Sequence, residues 1–193
     1  MDNLQRSEEI KQKDLFGIRA RKRKGRLEKM LEKYDRETIL GRIERLRWLE
    51  KVFPNYYGYL MSPEMHFIFT EAKMAFINGQ YISTVLLATS FIEHWLGSHL
   101  QSKGFVNESE GGLSAIVDCM REHNMLHVYL LDKVDEIRKT RNPFVHLKQY
   151  KHKYNLTERA ISELRNPDDV MGDDAKNALS TMYAVATAKY YLS

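Results

Sequence analysis

The sequence predicts an all-α fold, a helical bundle over residues 61–193 preceded by a basic helical arm over residues 1–54. Three observations carry this. Apolar residues recur at helical spacing in one segment after another, helix caps and stops punctuate those segments, and no stretch alternates apolar and polar as a half-buried strand would.

The elements follow in order. In RETILGRIERLRWLEKVF, residues Ile39, Leu40, Ile43, Leu46, Leu49, Val52 and Phe53 predict an amphipathic helix stopping at Pro54, with NYYGYLM as a linker. Ser62, Pro63 and Glu64 supply an N-cap, a proline for the first helical position and an acid for the first turn, and Gly79 is the expected stop. QYISTVLLATSFIEHWLGSHLQSKG is apolar on much of its circumference and ends at Gly104, the pattern of a central helix covered by several neighbours. A polar loop through Gly111 and Gly112 leads into LSAIVDCMREHN and then MLHVYLLDKVDEIRKTRN. A final helix is expected from near Asp173, with Leu179, Met182, Tyr183, Ala186 and Tyr190 facing inward.

At 193 residues the chain has room for one core of ordinary size with an appended arm. The lone cysteine, Cys119, excludes an internal disulfide and a multi-cysteine zinc site, consistent with a reducing, cytoplasmic setting. The N-terminal MDNLQRSEEIKQKD is charged where a secretory signal is apolar, and no apolar run approaches a bilayer span, so a soluble protein without a membrane partner is expected.

Charge is unevenly distributed. Residues 1–54 hold 16 Lys and Arg against 10 Asp and Glu, whereas the remainder holds 14 against 16. The basic peak, RARKRKGRLEK from Arg19 to Lys29, suits a phosphate backbone or an acidic partner, or else forms a solvated face paired with Glu28 and Glu32.

Glycine loops of the dinucleotide and P-loop types are absent, which argues against a nucleotide-handling α/β enzyme. His123 and His127, at i and i+4, have the spacing to share a metal with Glu122 or Asp118, or to flank a helix boundary at the surface. Cys119 lies one turn before His123, but no third group that would orient a reactive thiolate is evident.

The segment IRKTRNPFVHLKQYKHKY, Ile137 to Tyr154, concentrates the chemistry. Arg141, Asn142, three intervening residues and His146 resemble the Arg-x4-6-His motif of the HEPN superfamily, small all-α domains common in prokaryotic toxin and antiphage systems. Arg121 to His127 offers a second such pair. Context separates the two, because only the first has the Asn that many members carry after the Arg. Glu93, embedded in the long apolar helix, matches the position where many members place a polar residue facing the motif. The resemblance covers residues 61–193 and excludes the arm. It implies a homodimer with two copies of the motif facing one cleft, metal-independent RNA cleavage without a cofactor, and a possible cognate antitoxin or defence partner. It extends equally to non-catalytic members that bind RNA or a partner protein.

The residue types suit that chemistry. Cutting RNA without metal requires deprotonating a 2′-hydroxyl, stabilising a pentacoordinate phosphorane and protonating the 5′-oxygen. A histidine has both protonation states at hand near neutral pH, and a guanidinium contacts two phosphate oxygens while staying charged. Asn142 is suited to orienting either group, and Pro143 is expected to disturb the helix so that Arg141 and His146 converge. Glu93 lies beside the stripe Val85, Thr89, Ile92 and Leu96 and needs a partner, Arg141 or His146. A purely structural alternative pairs Arg141 with Glu93 or Asp135 and leaves His146 as a cap. Lys148, Tyr150, Lys151, Lys153 and Tyr154, with His152, are expected to supply phosphate contacts and stacking surfaces for RNA, or to form a solvated loop.

Overall fold

The computed structural model describes residues 25–53 and 61–189. The basic cluster up to Lys24, the Pro54 stop, most of the NYYGYLM linker and Tyr190 lie outside the described residues. Among the described residues there are eight helices and no strand, as expected of an all-α chain.

Contacts divide the chain into residues 1–41 and 42–193, a boundary that falls within α1 (Arg26–Val52). In the first unit, the Gly25 N–H donates to Glu28 Oε2 at 2.8 Å, and Lys33 and Glu37 pair one turn apart at 3.7 Å. Leu27, Met30, Leu31, Tyr34, Ile39 and Leu40 are all exposed there. In the second unit, Ile43 and Leu46 are exposed as well, whereas Leu49 and Phe53 are buried. Within the second unit, Trp48, Leu49, Val52 and Phe53 at the C-terminal end of α1 join the core.

The second unit is built around α3 (Tyr81–Ser102), which packs on α2 (Pro63–Ile77), α4 (Val106–Glu110), α5 (Gly112–Glu122), α6 (Val128–Val145) and α8 (Pro167–Thr187). Helix α2 begins as its cap signature requires, with the Ser62 hydroxyl accepting from the Met65 N–H at 3.3 Å and Pro63 in the first turn. Gly79 and Gly104 follow the ends of α2 and α3 at φ +76° and +88°, a conformation that costs glycine nothing. Val85, Ala88, Phe91, Ile92, Leu96 and Leu100 are wholly buried on α3, which confirms its central place. Helix α5 buries Leu113, Ile116, Val117 and Met120, and α6 buries Leu131, Val134 and Ile137, both at helical spacing.

Three local expectations are corrected. The polar loop before Gly111 contains a short helix, α4, whose flanking Phe105 is anchored 4.6 Å from the His123 ring. A further helix, α7 (Leu156–Glu163), precedes the last one. Helix α8 starts at Pro167 rather than near Asp173: Asn166 Oδ1 accepts from the Asp168 N–H at 2.9 Å, so Asn-Pro-Asp repeats the logic of Ser-Pro-Glu at α2. Gly172 lies inside that helix against the Tyr81 ring. Among the described residues no helix is long and apolar enough to cross a membrane.

Candidate functional site

The buried residues of α3 and α6 fix which polar side chains meet. Ile92 and Leu96 turn one face of α3 into the core and leave Glu93 on its shoulder; Ile137 does the same for α6, with Arg141 one turn further on. The outcome is an ion pair, Arg141 Nη2 to Glu93 Oε2, at 3.5 Å with side-chain exposures of 19% and 32%. Gly112, at φ +78° in the first turn of α5, closes one side: a Cβ there would sit 3.8 Å from Glu93 Oε1. Asp135, the other conceivable partner of Arg141, is taken by Arg138 at 2.6 Å and Lys139 at 2.5 Å.

The helix does not break where the proline suggested. Pro143 lies inside α6, which continues to Val145. Proline's fixed φ is helical, so the chain runs on through it, although its missing N–H frees the Lys139 carbonyl one turn back and its ring crowds it. His146 is the C-cap residue, with extended backbone and its N–H donating to the Asn142 carbonyl at 2.8 Å. Five positions along a helix advance about 7.5 Å and turn about 140°, so an unbroken α6 does not turn Arg141 and His146 to one face. Among the described residues, the imidazole of His146 and the amide of Asn142 make no hydrogen bond or ion pair with Arg141 or Glu93. The structure thus joins Glu93 to Arg141 and leaves His146 exposed at the end of the same helix.

The second Arg/His pair is occupied otherwise. Arg121 binds Asp132 at 2.8 Å and approaches Asp118 at 3.8 Å, while His127 caps α6 by accepting from the Tyr129 N–H at 3.2 Å. His123 lies tilted against the Phe105 ring, and no group of three metal-ligating side chains gathers among the described residues. Cys119 is buried; burial pushes its thiol up, and the Glu108 and Glu122 carboxylates push it further, the opposite of thiolate activation.

Between α6 and α7, residues 147–155 form a compact acid-free connection. The Gln149 carbonyl accepts from the His152 N–H at 3.1 Å and from Asn155 Nδ2 at 3.1 Å, and Lys151 takes φ +65°. Lys151 lies 5.8 Å from the Tyr150 ring and Lys153 5.0 Å from the Tyr154 ring. Tyr150 is 89% exposed, and Lys148 pairs with no acid among the described residues.

On a neighbouring face of α6, a cleft of about 400 Å³ opens between α6, α7 and α8, reached by Thr140, Lys153 and Tyr154. At its edge Arg159 grips Asp174 with two hydrogen bonds of 2.6 Å. Sequence reading missed this cleft because it is built by α7 and the first turns of α8, neither of which was foreseen; the one available signal was the Asn166-Pro167-Asp168 cap.

Comparison with protein-family models, with curated proteins and with solved structures found no match to this chain.

Proposed function

We propose that the chain is a metal-independent endoribonuclease of the HEPN type, acting as a toxin or defence effector and leaving 2′,3′-cyclic phosphate and 5′-hydroxyl ends. The observation that carries the reading is the Glu93–Arg141 pair near the end of α6, five residues before an exposed histidine without a competing partner. Glu93 orients the guanidinium, which contacts the scissile phosphate and stabilises its developing charge. Neutral imidazole at His146 accepts the 2′-hydroxyl proton as the 2′-oxygen attacks phosphorus. The 5′-oxygen leaves with a proton from imidazolium, and Asn142 adds a donor to the phosphate.

Because an unbroken α6 turns Arg141 and His146 apart, a second copy of the chain is the natural source of the other half of the cleft. The exposure of Val145, Leu147 and Tyr150 around His146 supports a homodimer across this end. Lys148, Tyr150, Lys151, Lys153 and Tyr154 then flank the RNA path with positive charge and rings. A possible antitoxin or defence partner would act by covering this surface.

One observation favours a second reading, a non-catalytic module binding RNA or a protein: Arg141 is only 19% exposed and already neutralised by Glu93. Incubating the purified chain with RNA in excess EDTA separates the two. Cleavage that is lost in His146→Ala and in Arg141→Ala and retained in Arg121→Ala supports the nuclease, whereas RNA binding without cleavage supports the module.

A further inference from the structure

The cleft between α6, α7 and α8 has a chemistry of its own. Its volume, about 400 Å³, lies within the usual range for small-molecule sites. Most of its charges are already satisfied. Arg159 and Asp174 close on each other at 2.6 Å, with side chains 17% and 6% exposed, and Arg165 is held by Asp173 at 2.5 Å and Glu163 at 3.1 Å. Lys133, Lys153 and Glu136 form no salt bridge among the described residues: the two ammonium groups lie 5.8 Å from the Tyr129 ring and 5.0 Å from the Tyr154 ring, and Glu136 acts on the Arg159 guanidinium only through its charge. The wall is completed by the Tyr154 ring, and the uncharged polar groups are Thr140, Asn177 and Thr181.

Two ammonium groups without a carboxylate partner select an anion. A phenol ring selects a flat partner, and a carboxylate with two acceptor oxygens selects a pair of adjacent N–H donors. One ligand class carries all three features: a nucleotide whose base presents two N–H groups side by side, which among the RNA bases is guanine on its Watson–Crick edge. Position agrees, since Thr140, on the cleft, immediately precedes Arg141 in α6.

We infer that this cleft is a guanine-nucleotide subsite for the RNA strand delivered to Arg141, with the base on Tyr154, its N–H edge on Glu136 and a phosphate at Lys133 and Lys153. The inference rests on the ribonuclease reading for the origin of the nucleotide, but binding is measured without cleavage. The full chain is titrated with each of the four ribonucleoside 5′-monophosphates and with inorganic phosphate while amide resonances are followed.

Guanosine monophosphate is expected to bind tightest and to shift Thr140, Tyr154, Asn177 and Thr181. Tyr154→Ala should weaken it about tenfold, with Tyr154→Phe close to wild type, because the ring face supplies the contact. Glu136→Gln should remove most of an about tenfold preference for guanine over adenine. Arg141→Ala should leave binding unchanged, which keeps the subsite separate from cleavage. A trinucleotide containing guanosine, blocked by 2′-O-methylation, should bind more tightly than the free nucleotide. The inference is overturned if inorganic phosphate shifts the same residues as strongly, if none of the nucleotides moves them, if Glu136→Gln keeps the base preference, or if the trinucleotide binds no better than the mononucleotide.

Discussion

Replacing Glu93 by Gln keeps the shape of the side chain and removes its charge, so it isolates the pairing with Arg141. At 3.5 Å the contact is at the outer limit of a hydrogen bond and acts mainly as an ion pair. Two unit charges at that distance attract by about 5 kcal/mol at an effective dielectric of 20. Desolvation and the residual exposure of both groups, 19% and 32%, cancel most of this, leaving a net loss of about 1 kcal/mol for the variant. For a unit of this size that lowers the thermal midpoint by about 3 °C. The functional effect should be larger than the structural one. A guanidinium no longer held against a carboxylate samples unproductive orientations, and about a tenfold loss of kcat with little change in KM is expected. The assay is single-turnover cleavage of a labelled RNA in EDTA, beside a thermal melt followed by circular dichroism. Cleavage within twofold of wild type would refute the positioning role of Glu93; a loss equal to that of His146→Ala would show that Glu93 itself takes part in proton transfer.

Asp174→Asn leaves Arg159 charged and largely enclosed, so it should cost about 3 kcal/mol and lower the thermal midpoint by about 10 °C; a change under 2 °C would show the pair to be dispensable. Leu164 sits at φ +52° and is 92% exposed, so Leu164→Gly relieves left-handed strain without losing burial, and a gain of about 0.5–1 kcal/mol in urea denaturation is expected, a loss arguing against it. The Arg165 hydrogen bond holds the Asp173 carboxyl below its ordinary range; at Asp135 burial pushes the carboxyl up, and the hydrogen bonds and charges of Lys139 and Arg138 together outweigh it and lower it. Both folded pKa values are depressed, so their stabilisation is fully present above about pH 4 and fades as the pH falls through the folded values. The midpoint difference between wild type and Asp135→Asn should therefore be constant from about pH 7 to 5 and shrink below about pH 4, whereas a difference that grows on acidification would contradict the sign.

Helices were legible wherever periodicity and caps agreed. Ser62-Pro63-Glu64 marked α2 because each residue satisfies a separate end requirement, and α3 was recognisable as central because apolar residues occupy most of its circumference. The extent of burial along α1 was not legible: Leu46 and Leu49 have the same hydrophobicity and helical spacing, and only tertiary contact decides that one is 45% exposed and the other 4%. Pro143 misled because proline's fixed φ is itself helical, so the residue type alone does not decide whether the chain kinks or runs on. The partner of Glu93 was narrowed to two from its place beside the α3 stripe, but choosing Arg141 over His146 required the phase of α6, set by Leu131, Val134 and Ile137. The cleft over Thr140 stayed hidden because α7 is a single short amphipathic stretch of eight residues.

The most direct test of the account is end-group analysis of RNA incubated with the full chain in excess EDTA, with His146→Ala alongside. The expected result is fragments bearing 2′,3′-cyclic phosphate and 5′-hydroxyl ends from the wild-type chain, and none from the variant at matched helicity. RNA left intact by a folded wild-type chain, or cleavage undiminished in His146→Ala, would contradict it.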